Sequence, residues 1–169
     1  KLINEKTVVI NPKMQKVLTE RGFGDIENDA LILDSFETLY LLYNNKLELK
    51  KVNKNIIFDE LLQKYIQKND DILIRFLLYR DLRTKGYAVK DGFGFGSDFR
   101  VYERGTYGLK DARFVIFAFN EGTQQKIGKL YKNIIEIKKM GKEPIVGVIE
   151  RRGEIIYYKI NKMNFSENK

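Results

Sequence analysis

Two residues in the second half of the chain have side chains suited to proton transfer and to charge stabilisation. Tyr102 ends an apolar segment and precedes Glu103-Arg104-Gly105, a sequence typical of a turn, so its phenol could project into a cleft. A free phenol, with a pKa of about 10, is a poor base at neutral pH, but a nearby cation stabilises the phenolate. Lys142 lies just before the apolar residues 145–149 and is a candidate for that cation. Taken alone, the two residues are more simply interpreted as a structural tyrosine and a surface lysine.

The absence of two residue types excludes several kinds of site. The 169 residues include no cysteine and no histidine. Disulfides and thiolate metal sites are therefore excluded, and the chain also lacks the commonest metal ligand and the usual proton carrier near pH 7. We exclude a zinc enzyme and a hydrolase with a Ser/His pair, and we expect no metal ion and no other cofactor.

The charge of the chain favours polyanionic partners. The net charge is +8, from 31 Lys and Arg against 23 Asp and Glu. Nucleic acid is the first such partner, because each neutralised phosphate releases counterions. Solubility or ion-pair networks at high temperature explain a lysine-rich surface equally well, so charge alone leaves the partner open. No segment approaches the roughly 20 apolar residues that span a bilayer, and no secretion signal is visible. We expect a soluble, cytoplasmic protein without a membrane partner.

Residues 1–71 have the pattern of a small mixed α/β domain. Apolar residues at helical spacing predict a helix over residues 36–43, with Asp34 as its N-cap and Glu37 three residues later. The same spacing predicts a second helix over residues 58–66. Short apolar segments predict three strands, over residues 8–10, 30–33 and 47–49.

Residues 72–169 have the pattern of a second domain with a mixed, largely antiparallel sheet. One helix should follow Asp71 and end at Gly86, and another should cover residues 123–140. Strands are predicted over residues 87–89, 99–102 and 113–119, and a hairpin over residues 145–160 with its turn at Arg152-Gly153. Helices packed on such strands place the chain in the α+β class. Residues 161–169 are typical of a polar tail.

The glycine-rich segment at residues 92–96, GFGFG, resembles a phosphate-binding loop only superficially. It lacks the GK[ST] ending, and a strand rather than a helix is predicted after it. The glycines are more simply interpreted as a tight connection between two strands, with Phe93 and Phe95 in the core. Stacking of Phe93 or Phe95 on RNA bases is the alternative.

Three segments together resemble the tRNA intron endonucleases of the archaeal type. They are DLRTKGY at residues 81–87, GSDFRVYERG at residues 96–105 and GEIIYY at residues 153–158. The order of segments over residues 31–158 is similar to that of a subunit of this family, in which an N-terminal α/β domain precedes a nuclease-like catalytic domain. The resemblance implies metal-independent cleavage of precursor tRNA at bulge-helix-bulge junctions, which leaves 2′,3′-cyclic phosphate and 5′-hydroxyl ends.

The resemblance also assigns a catalytic triad of tyrosine, histidine and lysine. Tyr102 and Lys142 match its first and last members, with Lys138 as the alternative lysine, but the histidine position maps to Ala112. A methyl group cannot transfer a proton, so the resemblance implies impaired cleavage by this chain. Two interpretations stay open: a structural subunit without catalytic duty, or a catalytic subunit whose histidine has been replaced. We favour the second because Tyr102 and Lys142 are both present.

The same resemblance implies that the chain binds precursor tRNA and assembles with another endonuclease subunit, as a heterotetramer or a homo-oligomer. Family tetramers insert an acidic loop of one subunit into a basic pocket of another. Here the loop after Phe119 has Glu121 as its only acid before Lys126, so the chain is more similar to a catalytic than to a structural subunit. The apolar residues 155–158 predict a final strand that pairs with another subunit or packs into the core. Six basic residues are candidates for RNA contacts, with a solvated surface as the alternative for each: Arg104, Arg113, Lys138, Lys139, Arg151 and Arg152.

Overall fold

The computed structural model describes residues 2–3, 6–51, 54–94 and 96–161. Within these residues the chain forms five helices, which are α1 (Pro12–Glu20), α2 (Ser35–Tyr43), α3 (Phe58–Ile66), α4 (Ile72–Thr84) and α5 (Ile127–Lys139). The strands of the N-terminal half are β1 (Leu2–Ile3), β2 (Lys6–Val9), β3 (Asp25–Glu27), β4 (Ala30–Leu33), β5 (Leu49–Lys51) and β6 (Lys54–Ile56). Those of the C-terminal half are β7 (Ala88–Asp91), β8 (Phe99–Tyr102), β9 (Phe114–Asn120), β10 (Glu143–Ile149) and β11 (Ile155–Lys159).

The N-terminal half contains a four-stranded antiparallel sheet in the order β1-β2-β4-β3 and the small hairpin β5-β6. Sequence analysis did not predict α1, β1, β3 or β6. The signal for α1 was present, because Pro12 takes its first position and the Asn11 side chain accepts hydrogen bonds from the backbone N–H groups of Lys13 and Met14. The strand predicted over residues 47–49 was wrong by two residues, since β5 begins at Leu49.

Helix α2 begins at the predicted capping box. The Asp34 carboxylate accepts a hydrogen bond from the Glu37 N–H at 2.8 Å, and the Glu37 carboxylate accepts one from the Asp34 N–H at 3.1 Å. These bonds satisfy two N–H groups that a helix start would otherwise leave without partners. The predicted helices at α2, α3 and α4 are all confirmed.

The C-terminal half is built on a five-stranded sheet in the order β11-β10-β9-β8-β7. Only β9 and β10 run parallel, so the predicted mixed, largely antiparallel sheet is confirmed. The predicted turn is also confirmed, because the Gly153 N–H donates to the Glu150 carbonyl and Gly153 has a φ of +81°. Helix α5 begins four residues later than predicted, at Ile127, because the Thr123 N–H instead closes a turn onto the Asn120 carbonyl.

The two faces of this sheet pack against different helices. Phe99, Val101 and Ile116 belong to the main core, which includes α2 and α4. Val115, Phe117 and Val146 form a second core with Ile134 and Ile137 of α5. Alternate residues of one strand therefore point towards α4 and towards α5.

The main core is shared by the two halves of the chain. The rings of Phe36 and Tyr40 in α2 lie 6.2 Å and 5.9 Å from that of the buried Tyr79 in α4. A buried charge adds to this contact, since Lys90 of β7 donates to the Gly24 carbonyl and lies 3.2 Å from the Glu37 carboxylate. The domain boundary predicted between residues 71 and 72 stays a prediction.

Candidate active site

Tyr102 and Lys142 lie at the same end of the five-stranded sheet. Val101 is opposite Phe114 in the β8-β9 pair, and Phe114 is opposite Glu143 in the β9-β10 pair. Extending both pairings by one residue places Tyr102 opposite Arg113 and Arg113 opposite Lys142. The three residues therefore lie side by side on three neighbouring segments of the chain. Because neighbouring strands are about 4.8 Å apart, the Tyr102 and Lys142 backbones are separated by about 10 Å.

Ala112 lies two residues before the start of β9. It is buried, with 4% of its surface exposed, and its carbonyl oxygen accepts a hydrogen bond from the Lys142 ammonium at 2.8 Å. Lys138, the alternative lysine, instead donates to the Asn161 side chain at 3.3 Å. The ammonium group at the Ala112 position is therefore that of Lys142.

The Tyr102 ring is half-buried and is held from the side by a second tyrosine. Tyr107 packs edge-to-face against it, with ring centroids 5.0 Å apart and planes at 79°. Tyr107 also lies over the backbone of Gly22, so the N-terminal half reaches the loop that follows Tyr102. This arrangement restricts the directions in which the Tyr102 phenol can point.

Arg113, a candidate for RNA binding, already has two carboxylate partners. Its guanidinium donates to Glu143 at 2.8 Å and forms an ion pair with Glu103. Lys159 also donates to Glu143, at 2.6 Å. The hydrogen bonds from Lys159 and Arg113 hold the pKa of the Glu143 carboxyl below its ordinary value. This exposed charge cluster joins the ends of β8, β9, β10 and β11.

The other candidates for RNA binding are at both ends of the sheet. Arg104 lies over the Tyr87 ring at 5.1 Å, close to Tyr102 in sequence, and Lys139 pairs with Glu136 at the end of α5. Arg151 and Arg152 are in the turn that follows β10. Because β10 has seven residues and Lys142 precedes it, the two arginines lie about 20 Å from Lys142. The structure therefore groups Arg104, Arg113, Lys138 and Lys139 with the Tyr102 end and separates Arg151 and Arg152 from it.

Sequence analysis missed Arg100 as a residue of this site. Arg100 is opposite Val115, which packs towards α5, and Tyr102 follows two positions later, so both side chains belong to the same face of the sheet. The Arg100 guanidinium and the Lys142 ammonium each lie 5.3 Å from the centre of the Phe93 ring. The i, i+2 spacing from Tyr102 within a predicted strand was the signal that could have found Arg100.

The glycine-rich segment makes a close connection between β7 and β8, as predicted. A Cβ atom on Gly92 would lie 2.4 Å from the Ser97 carbonyl oxygen, so only glycine fits there. Phe93 packs against the core that includes α5 and lies within cation–π distance of both Arg100 and Lys142. The prediction for Phe95 lies outside the described residues.

The described part of the chain shows neither a cluster of metal ligands nor a membrane-spanning helix. No group of three or more carboxylate, histidine or cysteine side chains there is placed to hold a metal ion. None of the helices in that part combines the length and apolarity needed to cross a bilayer.

Comparison with known proteins gives a consistent result over nearly the whole chain. Residues 72–157 match the family model of the tRNA intron endonuclease catalytic C-terminal domain, and residues 1–62 match that of the tRNA intron endonuclease N-terminal domain. A tRNA-splicing endonuclease from Methanococcus maripaludis is 31% identical over 159 residues, covering 94% of this chain and 90% of the relative. Another from Thermococcus onnurineus is 29% identical over 152 residues, covering 90% of this chain and 88% of the relative.

Proposed function

Because this chain belongs to the tRNA intron endonuclease family, we propose that it is a splicing endonuclease subunit that recognises the bulge-helix-bulge junctions of precursor tRNA. The observation that carries the proposal is the position of Lys142, whose ammonium reaches the carbonyl of Ala112 at the end of the sheet that also carries Tyr102. The net charge of +8 suits a polyanionic substrate.

The proposed reaction is an attack by a ribose 2′-oxygen on the neighbouring phosphorus. Tyr102 accepts the proton of the 2′-hydroxyl, the new P–O2′ bond forms, and the P–O5′ bond breaks. Lys142 stabilises the negative charge that develops on the phosphate oxygens. The products are a 2′,3′-cyclic phosphate and a 5′-hydroxyl. No metal ion takes part, because the nucleophile belongs to the substrate and cations of the protein act on the phosphate.

The departing 5′-oxygen must also gain a proton, and the residue that supplies it in the family is replaced here by Ala112. Loss of one general acid costs on the order of 10²- to 10⁴-fold in rate. We therefore propose that this chain binds its RNA but cleaves it slowly, because water must supply the proton. The buried position of Ala112 beside the Lys142 ammonium supports this assignment.

The Ala112→His variant tests the catalytic assignment. We expect it to cleave a bulge-helix-bulge RNA about 10²- to 10⁴-fold faster than the unchanged chain, with cyclic-phosphate ends and without inhibition by a metal chelator. Combining Ala112→His with Tyr102→Phe is the matched control, because the ring stays while the proton acceptor is lost. Cleavage that stays at the level of the unchanged chain would contradict the catalytic assignment.

A structural subunit is the second candidate function, and Ala112 is the observation that favours it. In that case Ala112→His stays inactive, while the unchanged chain increases cleavage by a subunit that has its own complete triad. A tRNA-splicing endonuclease subunit that carries tyrosine, histidine and lysine at the three triad positions serves as that subunit in a mixing experiment. If the unchanged chain increases cleavage by that subunit while Ala112→His does not cleave RNA, this chain is a structural subunit and not a catalytic one.

We also propose that the chain assembles with another endonuclease subunit through β11. In the described residues this strand pairs only with β10, and Ile156 and Tyr158 are 37% and 51% exposed. An apolar strand at a sheet edge is a template for pairing with a second chain. The Glu121 carboxylate accepts a hydrogen bond from the Arg151 N–H within its own subunit, which supports the view that this loop does not act as an acidic insertion.

We propose that the six basic candidates contact RNA in two groups. Those at the Tyr102 end contact the strand near the cleavage site. Arg151 and Arg152 contact only RNA that extends along the sheet to its other end, because β10 separates them from Lys142.

A further inference from the structure

We propose that Arg100 forms a phosphate-binding subsite beside Tyr102, which holds the phosphodiester next to the one that is cleaved. The ligand is the backbone of a single RNA strand, and the Arg100 guanidinium and the Lys142 ammonium both lie 5.3 Å from the centre of the Phe93 ring. The inference rests on the proposed function, because both phosphates belong to the same substrate.

The Arg100 side chain has no anionic partner in the described part of the chain. Among the residues that the structure describes, the half-buried Arg75 pairs with the Asp98 carboxylate, whereas the Arg100 side chain forms no ion pair and no hydrogen bond. Its Nε atom is buried without a hydrogen-bond acceptor. A half-buried guanidinium without an anion is costly, and a bound phosphate offsets that cost.

The local charge around Arg100 also favours an anionic ligand. Arg100 is directly opposite Lys90 in the β7-β8 pair, and its ring partner Phe93 also contacts Lys142. Lys90 is compensated by Glu37, but the Arg100 charge is not compensated in the described part of the chain. Arg100 and Lys142 therefore create a positive potential on the face that carries Tyr102.

The geometry of β8 places Arg100 at a suitable distance from Tyr102. Positions 100 and 102 are about 7 Å apart along β8 on one face, a distance comparable with one nucleotide step of an RNA backbone. Cation–π contact with Phe93 holds the planar guanidinium on one side. A held arginine can bind a phosphate through two parallel N–H donors, which lysine cannot do.

The test measures binding to a bulge-helix-bulge RNA whose attacking 2′-hydroxyl is replaced by hydrogen, so that cleavage cannot interfere. We expect Arg100→Gln to weaken binding about tenfold and to reduce the slope of log Kd against log salt by about 0.7 to 0.9. Arg100→Lys should keep the slope and still bind more weakly. Lys50→Gln, which removes an exposed charge on β5, is the matched control and should change neither quantity by as much.

A second measurement places the contact on the RNA. The two phosphates flanking the cleavage site are replaced, one at a time, by neutral methylphosphonates. We expect one replacement to weaken binding by the unchanged chain about tenfold and to add little further loss in Arg100→Gln, because the two changes remove the same contact. If Arg100→Gln fails to fold, as judged by circular dichroism, the methylphosphonate series is repeated with Arg100→Lys, where the same replacement should weaken binding by less than in the unchanged chain because lysine makes a weaker contact with that phosphate.

Three outcomes separate the inference from the function on which it rests. If Arg100→Gln behaves like Lys50→Gln, or if neither methylphosphonate weakens binding, the subsite is wrong while the proposed function stands. If the unchanged chain binds an uninterrupted RNA duplex as tightly as the bulged RNA at matched salt, the proposed function itself is wrong. If the losses from Arg100→Gln and from one methylphosphonate do not add, both proposals are supported.

Discussion

In the described part of the chain, two of the clusters of opposite charges have similar residue types and very different exposure. One cluster surrounds Lys90, which is 3% exposed and lies beside Glu37, which is 1% exposed. The other surrounds Arg113, whose side chain is 50% exposed and pairs with Glu103 and Glu143. The buried cluster joins the two halves of the chain, and the exposed cluster lies at the proposed active end of the sheet.

The difference shows how the same chemistry serves two purposes. In the buried cluster, Glu37 accepts hydrogen bonds from the N–H groups of Gly24 and Asp34 as well as from Lys90, so each charge depends on the others. Burial lowers the pKa of Lys90, but the neighbouring Glu37 and Asp25 raise it more, and the net result is a raised pKa. In the exposed cluster, water and salt can replace any partner. Charges near the RNA can therefore exchange partners without disturbing the fold.

The largest effect is expected when the buried cluster loses its cation. Lys90→Met leaves the Glu37 carboxylate buried without a counter-charge and the Gly24 carbonyl without its donor. We expect the free energy of unfolding to fall by about 3 to 5 kcal/mol, as measured by urea denaturation.

Lys54→Met is the matched control for this change, because it removes a lysine whose side chain is 74% exposed and which pairs with Glu60. It should lower the free energy of unfolding by less than about 1 kcal/mol. If the two variants lose similar amounts of stability, burial does not determine how much an ion pair of this protein contributes to stability.

A smaller effect is expected from the pH dependence of Asp34. Burial and the neighbouring Glu37 charge raise the pKa of this carboxyl to about 7 in the folded protein, above the value of 3.8 for a free aspartate. Between these values the folded state binds more protons than the unfolded state, so stability falls as pH rises from about 4 to about 7 and then levels off. Asp34→Asn keeps an oxygen that can cap α2 and removes the titration.

Urea denaturation at pH 5 and pH 7 measures this effect. Between these two pH values the unchanged chain should lose about 2 kcal/mol more stability than Asp34→Asn. Asp98, whose pKa is also raised by burial, is present in both proteins, so the difference between them isolates Asp34. Equal pH dependence in the two proteins would show that protonation of Asp34 does not stabilise the folded state.

Local patterns predicted the elements that carry local signals. Helix α2 was found because Asp34 and Glu37 form a capping box, and the turn at Arg152-Gly153 because glycine adopts a positive φ. Helix α1 was missed because it has little apolar content, although Asn11 and Pro12 marked its start. Tyr102 and Lys142 were found by resemblance to a family and not by periodicity.

Contacts between distant residues could not be predicted in this way. The pair of Lys90 and Glu37 joins residues 53 positions apart, and nothing in the sequence around Lys90 distinguishes it from a surface lysine. Arg100 was missed for the same reason, because its position near Phe93 and Lys142 depends on the order of strands in the sheet. Such contacts follow from topology, which local pattern does not determine.

The smallest effect on stability is expected when Arg113 is replaced. The Arg113→Gln variant tests whether the exposed cluster serves RNA binding and not folding. Arg113→Gln should shift the midpoint of thermal unfolding by less than about 2 °C, because exposed ion pairs contribute little. It also leaves the Glu103 and Glu143 carboxylates without their shared cation at the proposed RNA-binding end. Binding of a bulge-helix-bulge RNA should therefore weaken by about three- to tenfold, and more at low salt than at high salt. A large loss of thermal stability with unchanged RNA affinity would reverse the roles that we assign to the two clusters.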